Sequence, residues 1–201
     1  EKRKSINKEQ IENLLPNEPV IVLSAIDRST NISTPPELPE AMNYTNTGNL
    51  TKSLVLKVGA PVILTVNHSK PKYREDGIVN SARGFVDSFQ MEVGSGSEVK
   101  AIWVVFQNKD IGKKLRDESY ELRESHTPED PNAVPIEVFK VRFTLQNGDV
   151  NYQRTQFPAV LAYAVTAHKS QGDTLQEILI DFTGDARSKT KPYICKGSFY
   201  T

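Results

Sequence analysis

The residues with the most chemistry per unit length are Thr166, His168, Lys169, Ser170, Gln171 and Gly172. They close the stretch AVLAYAVTAHKSQGDTL, in which Ala159 to Ala167 is an Ala-rich apolar run interrupted only by Tyr163 and Thr166. A buried element that ends in crowded polar and turn-forming residues is costly unless those side chains face a ligand or a partner surface. Their types suit one class of ligand. Thr166, His168 and Ser170 are neutral donors matched to phosphate oxygens, and Lys169 brings a mobile positive charge to the same task. Gln171 both donates and accepts, so it can bridge two groups. Gly172 lets the chain turn sharply or approach a ligand closely. On composition alone the commoner reading is an ordinary C-capping turn, with His168 and Lys169 favouring the end of a helix electrostatically.

The elements expected to position this cluster lie on both sides of it. Ala159 to Lys169 has the length and composition of a helix packed on a sheet. The succession Ile178, Leu179, Ile180 predicts a strand buried on both faces, as in a parallel sheet. Near the start, Ser5 to Leu15 predicts a short helix with Ser5 as its cap and Pro16 as its stop. Val20 to Ala25 has strand composition. Residues 27–49, with Pro35, Pro36 and Pro39, predict a long irregular connection. Leu54 to Val58 and Pro61 to Val66 are strand candidates joined at Gly59. Residues 69–77 are polar, with turn signals at Pro71 and Gly77.

The centre of the chain is rich in short strands. Phe85 to Val93 and Val99 to Gln107 flank a Gly-Ser turn, and Ile136 to Leu145 alternates between two faces. Asn147-Gly148 signals a two-residue hairpin turn, with Val150 to Thr155 returning. The charged stretch 109–131 predicts a poorly ordered insertion with one helical turn at most. Several antiparallel strands with short turns are the composition of a small barrel. The expected architecture is therefore α/β, divided as 1–83, 84–157 and 158–201, with the middle part a β-rich insertion.

Composition narrows the function classes. Lys plus Arg and Asp plus Glu both number 25 in 201 residues, so net charge is zero and any nucleic-acid site must be a local patch. The cluster Lys2, Arg3, Lys4 could form a small nucleic-acid patch, though a solvated helix start is the plainer reading. Cys195 is the single cysteine, which rules out an internal disulfide and fits a reducing, intracellular compartment. No run of about 18 apolar residues is present, so no membrane span is expected. His68, His126 and His168 are too scattered for metal-ligand spacing, so no metal site is expected. Trp103, Phe139 and Phe143 read as packing residues. Tyr73 and Arg74, in a polar stretch, could touch a base and a phosphate if exposed, though solvated loop residues are the plainer reading.

The stretch LAYAVTAHKSQGDTL, from Leu161 to Leu175, resembles a motif of the Pif1/RecD-like DNA helicases of superfamily 1. Leu161, Ala162, Tyr163, Ala164, Thr166, His168, Lys169, Ser170, Gln171, Gly172, Thr174 and Leu175 all match. Upstream, LKVGAPVILTVN, from Leu56 to Asn67, resembles the segment that leads from the second motor domain of this family into its insertion. Ile78, Asn80 and Gly84 resemble the next element, an Asn-Gly pair followed by another Gly. Ser81 stands in place of the first of those glycines, which a negative φ would allow. The opening, with Asn7, resembles the family loosely.

The resemblance implies the second of two RecA-like domains, partial here and interrupted by an SH3-like barrel insertion. It implies that Thr166, His168, Lys169 and Ser170 serve single-stranded DNA, with Lys169 and Ser170 ambiguous between DNA and cleft. It implies that Gln171 and Gly172 lie on the nucleotide side and couple its state to DNA grip. ATP and Mg2+ are then cofactors of the intact protein, whose first RecA-like domain is the partner, and 5′-to-3′ unwinding in repair and recombination is its expected work. No G-x-x-x-x-G-K-[ST] occurs in the chain, so nothing here cradles ATP phosphates. The chain starts without Met and stops on SFYT, short of the arginine expected next, so it reads as a fragment inactive by itself. The alternative is a non-catalytic module that binds nucleic acid or protein.

Overall fold

The computed structural model describes residues 2–14, 17–29, 38, 47–92, 94, 98–144, 151–166, 179–181 and 193–195. It shows a mixed α and β chain with several sheets, and every strand pairing among the described residues is antiparallel. Helix α1, Lys2–Asn13, comes first. It starts three residues earlier than the expected cap at Ser5, and it is polar except for Ile6, half-buried, and Ile11, which is only 2% exposed. Strand β1, Ile21–Ser24, pairs with β3, Ser53–Leu56, and β2, Ile26–Ser29, follows β1 after one residue. The start of the expected irregular connection is thus a strand, while 30–37 and 39–46 lie outside the described residues.

A five-stranded sheet forms the centre. Its strands in spatial order are β10, Ala159–Leu161, β4, Pro61–Leu64, β5, Arg83–Met91, β6, Val99–Phe106, and β7, Val134–Glu137. The sequence VKAIWVVF of β6 is almost continuously apolar because this strand has neighbours on both edges and is buried on both faces. Leu54, Leu56, Val62, Leu64, Val86, Ile102, Val104, Phe106, Val134 and Ile136 make one core, to which α1 contributes Ile11. A three-stranded sheet orders as β2, β9, Asn151–Gln156, and β8, Phe139–Thr144. The register of β8 on β9 is symmetric about Asn147 and Gly148, as the turn signal requires, although 145–150 lie outside the described residues. The single alternating stretch expected from Ile136 to Leu145 divides at Val138 into β7 and β8, which join different sheets.

The pairing crosses the expected part boundaries. Strands β4 and β10, outside 84–157, are neighbours in the sheet that also holds β5, β6 and β7. Strand β2 pairs with β9 through Ile26↔Thr155 to Ser29↔Tyr152. Across that pairing Arg154, 2% exposed, donates to both carboxylate oxygens of Asp27 at 2.7 Å and to the Leu50 carbonyl at 3.1 Å. A buried guanidinium needs such a bidentate partner.

Three expectations are corrected. Ala159 to Lys169 is not a helix in its described part. It forms β10, then β11, Ala164–Thr166, in a different sheet. Val160 and Val165 favour extended backbone, and pairing with β4 outweighs the helix propensity of the alanines. The strand near Ile178, β12, Leu179–Asp181, is not in a parallel pair. It joins β13, Tyr193–Cys195, antiparallel, and β11 lies on the other side of β13. The charged stretch 109–131 is ordered. It forms α3, Lys113–Glu118, and α4, Tyr120–Ser125, and the polar stretch 69–77 contains a third short helix, α2, Pro71–Glu75. Numbered along the chain, α2 precedes both.

The charged segment owes its order to polar groups that composition conceals. Asp87 is the extra residue of a bulge in β5, between Val86↔Val104 and Ser88↔Trp103. A bulge re-aims side chains. Here it lets the Asp87 carboxylate accept from the backbone amides of Glu129 at 3.0 Å and Asp130 at 2.8 Å. Asp76, after α2, accepts from the amides of Lys114 at 2.7 Å and Leu115 at 3.4 Å at the start of α3. Arg123 of α4 lies over the Trp103 ring, 5.0 Å from its centroid, and donates to the Ala133 carbonyl at 2.7 Å.

Candidate nucleic-acid interface

The approach to the polar cluster is built from the point where the chain leaves one sheet for another. Strand β10 lies on β4 with Ala159↔Leu64 to Leu161↔Val62 in register, and Thr65 N donates to the Pro158 carbonyl at 2.9 Å. Ala162 N continues this ladder, donating to the Pro61 carbonyl at 2.9 Å. Ala162 and Val165 bury themselves against Ile63. Two residues later the chain is in β11, where Ala164↔Cys195, Val165↔Ile194 and Thr166↔Tyr193 pair with β13. The change of sheet at Ala162 and Tyr163 is bridged by α1. Asn7 Oδ1 accepts from Ala164 N at 2.8 Å, and Asn7 Nδ2 points at the carbonyls of Ala164 at 3.3 Å and Leu161 at 3.4 Å.

Thr166 is therefore the last residue of β11, placed by backbone pairing with Tyr193. His168, Lys169, Ser170, Gln171 and Gly172 lie outside the described residues. What is described is the mounting of the cluster: a strand fixed along one edge by β13 and met on the other by Asn7.

The neighbouring family-like segments are also placed. LKVGAPVILTVN spans the end of β3 and β4, with Gly59 at φ 78° between them. Lys57 is buried and its Nζ donates to the Leu14 carbonyl beyond the end of α1 at 2.9 Å. Asn67 Oδ1 accepts from Asn80 N at 2.8 Å, which ties that segment to the turn before β5. In this turn Ala82 N donates to the Val79 carbonyl at 3.1 Å, and Ser81 has φ 75°, not the negative value expected. The backbone thus keeps a left-handed residue at the position where the family pattern has glycine. Gly84 admits no side chain. A Cβ there would sit 2.5 Å from the Val105 carbonyl oxygen and 2.6 Å from Val104 Cγ1.

Tyr73 and Arg74 do not form an exposed pair. Tyr73 is 5% exposed, its ring meets His68 edge-on at 4.7 Å, and its hydroxyl donates to Glu118 Oε2 at 2.7 Å. Arg74 turns back to the carbonyls of His68 and Ser69, at 3.1 and 2.9 Å. Lys72 pairs with Glu118 and lies 4.7 Å from the Tyr73 centroid. The Lys72 ammonium and the Tyr73 hydroxyl, by donating to Glu118, hold its carboxyl below the usual range. Burial, then Lys70 and Arg74, lowers the pKa of His68. This cluster holds α2 to α3. Trp103 is fully buried and packs as expected, its Nε1 donating to Gln90 Oε1 at 3.2 Å. No group of three or more His, Cys, Asp or Glu able to hold a metal exists among the described residues.

Sequence reasoning missed Asp87 and Arg154, and met Asn7 only in a loose family resemblance, without its contact. A further signal at Asn7 is that asparagine is a poor helix former and stands in mid-helix between Ile6 and Lys8.

The arrangement of sheets is similar to that of a solved Pif1 helicase. The Pif1 helicase of Candida albicans superimposes on 86% of this chain and 35% of its own, with TM-score 0.54 and 22% identity, a likeness of fold. In sequence, the chain is 42% identical over 53 residues to the ATP-dependent DNA helicase PIF1 of Emericella nidulans, and 44% identical over 50 residues to the ATP-dependent DNA helicase Pif1 of Bdellovibrio bacteriovorus. These stretches are 26% and 24% of this chain, and only 7% and 11% of the two relatives. No family model matches the chain. The chain is Pif1-like in sequence over a quarter of its length and Pif1-like in fold over most of it. No helix among the described residues is long and apolar enough to cross a membrane.

Proposed function

We propose that this chain is a segment of the second motor domain of a Pif1/RecD-like DNA helicase, carrying single-strand contacts and one side of the ATP cleft. The observation that carries this reading is the match of LAYAVTAHKSQGDTL, supported by the similarity to Pif1 relatives in sequence and fold. Thr166, His168, Lys169 and Ser170 contact the strand in this account, and Gln171 and Gly172 report the nucleotide's state to it. In this account residues 84–157 are the inserted β-rich unit, SH3-like in kind, and β4 and β10 from the flanking parts extend its five-stranded sheet. The remainder, 1–83 and 158–201, belongs to the RecA-like domain.

The residues present do not by themselves hold ATP and Mg2+. The sequence has no phosphate loop, and the described residues have no metal-holding group. Their holders are expected on the rest of the polypeptide, the first RecA-like domain included. What this segment supplies is grip: neutral donors and one cation at the end of β11, presented to phosphates from a strand whose position is set by two neighbours.

The test is Lys169→Ala in the intact polypeptide, with affinity for single-stranded DNA titrated at several salt concentrations. Binding is expected to weaken for all sequences alike, and the salt slope to fall by about 0.7, one phosphate's worth on a single strand. An unchanged affinity with an unchanged slope removes Lys169 from the strand site.

A further inference from the structure

We propose that Asn7 is a positioning residue for strand binding, acting as a peptide surrogate on the edge of β11. The inference rests on the proposed function and extends it to a residue outside the motif. The side-chain amide offers what a neighbouring strand would offer. It accepts from Ala164 N at 2.8 Å and donates toward the Ala164 carbonyl at 3.3 Å, with the Leu161 carbonyl at 3.4 Å sharing the same nitrogen. Among the described residues β11 is the edge strand of its sheet, so this is the side on which no strand lies. The contact also falls where the chain passes from the five-stranded sheet to the three-stranded one. A slip of one residue there would reverse the face on which every following side chain emerges.

The helix that carries Asn7 is itself anchored. Ile11 is in the core, and the Lys57 ammonium donates to the Leu14 carbonyl at 2.9 Å, where a cation also favours the helix end. Helix α1 therefore runs as a strut between the LKVG segment and the start of the motif, and Asn7 is its contact with the latter. Thr166 follows Ala164 by two residues, and the proposed DNA contacts begin there.

The experiment uses the intact polypeptide, an oligo-dT single strand and two variants on the same helix. Asn7→Ala removes the amide. Lys8→Ala alters an exposed residue whose partner is Glu12, and serves as the control. Asn7→Ala is expected to speed hydrogen exchange at the Ala164 amide about tenfold, as loss of one buried hydrogen bond allows. The oligo-dT concentration for half-maximal ATPase stimulation is expected to rise several-fold, with the KM for ATP unchanged. Lys8→Ala leaves all three values as they are. A fall in maximal rate with unchanged half-saturation would mean only a smaller folded fraction, and it overturns the inference, as does unchanged exchange at Ala164. If Asn7→Ala does not fold, Asn7→Asp takes its place; it keeps the acceptor for Ala164 N and loses both donors, so half-saturation alone is its readout, and an unchanged value overturns the inference. Wild-type protein that does not respond to oligo-dT overturns the proposed function, and this inference with it, before any variant is compared. A responsive wild type with an equally responsive Asn7→Ala overturns the inference alone.

Discussion

Ser81 occupies a backbone conformation that glycine adopts at no steric cost. Its φ is 75°, with Asn80 before it and the Val79 to Ala82 hydrogen bond around it, the geometry of a turn that needs a left-handed third residue. The sequence showed the substitution for glycine but not the sign of φ, because serine is compatible with either and the turn's closure is decided by Leu64 and Asn67 from another segment. Ser81→Gly is expected to raise stability by about 0.5–1 kcal/mol, relief of left-handed strain less the entropy glycine adds to the unfolded chain. Denaturant unfolding of the two proteins measures it, and a loss of stability would show that the serine side chain is held by something stronger than the strain. Phe139 and Phe143 share a face of β8 as expected but are only half-buried, Phe143 stacking on Tyr152 at 5.7 Å. Trp103 was legible at this scale, because a large apolar side chain in an apolar strand has few alternatives to packing. Asn7 and Asp87 were not, since their partners are backbone groups more than 40 residues away.

At the scale of elements, strands were more legible than helices. β1, β3, β4, β5, β6 and the β8–β9 hairpin follow apolar runs and one strong turn signal. The charged segment misled because α3 and α4 bury little of themselves and are held by Asp76, Asp87 and Arg123 instead. His126, just after α4, shows how. It stacks on Trp103 at 5.8 Å, and its Nε2 lies 2.8 Å from Ser88 Oγ, which donates its single proton to Asp87 Oδ2 at 2.8 Å. Nε2 must then carry the ring proton toward Ser88, and the neutral ring completes a chain of donors ending on a carboxylate. Burial lowers the pKa of His126, against a smaller opposing pull from Asp87. A histidine with a lowered folded pKa takes up its proton more readily when unfolded. Its contribution to stability is therefore complete above the ordinary value of about 6.5 and is lost as pH falls below it toward the folded value. His68, lowered by burial and by Lys70 and Arg74, acts in the same direction. His126→Gln is expected to flatten part of the stability loss between about pH 7 and 5. Unfolding midpoints across that range check it, and an unaltered slope would place the acid sensitivity elsewhere.

At the scale of the molecule, the motif and the general class of fold were legible, and the topology was less so. The likeness to helicases rests on residues whose spacing survives in sequence, whereas sheet membership depends on which distant strands meet. The Ala-rich run became two strands because β4 and β13 offered edges that no local pattern records. The division at 84 and 157 followed composition, while hydrogen bonding ties β4 to β5, with β10 on the far side of β4, and β2 to β9 across it. What unites these parts in our account is a motor that grips single-stranded DNA with the end of β11 and spends ATP held mainly by other residues. Steady-state phosphate release by the intact polypeptide, with and without oligo-dT, tests that claim most directly. The account predicts a rate stimulated by the single strand to about 1 s⁻¹ or more, and no such rate from residues 1–201 alone. A polypeptide that binds the strand yet releases phosphate no faster in its presence would contradict it.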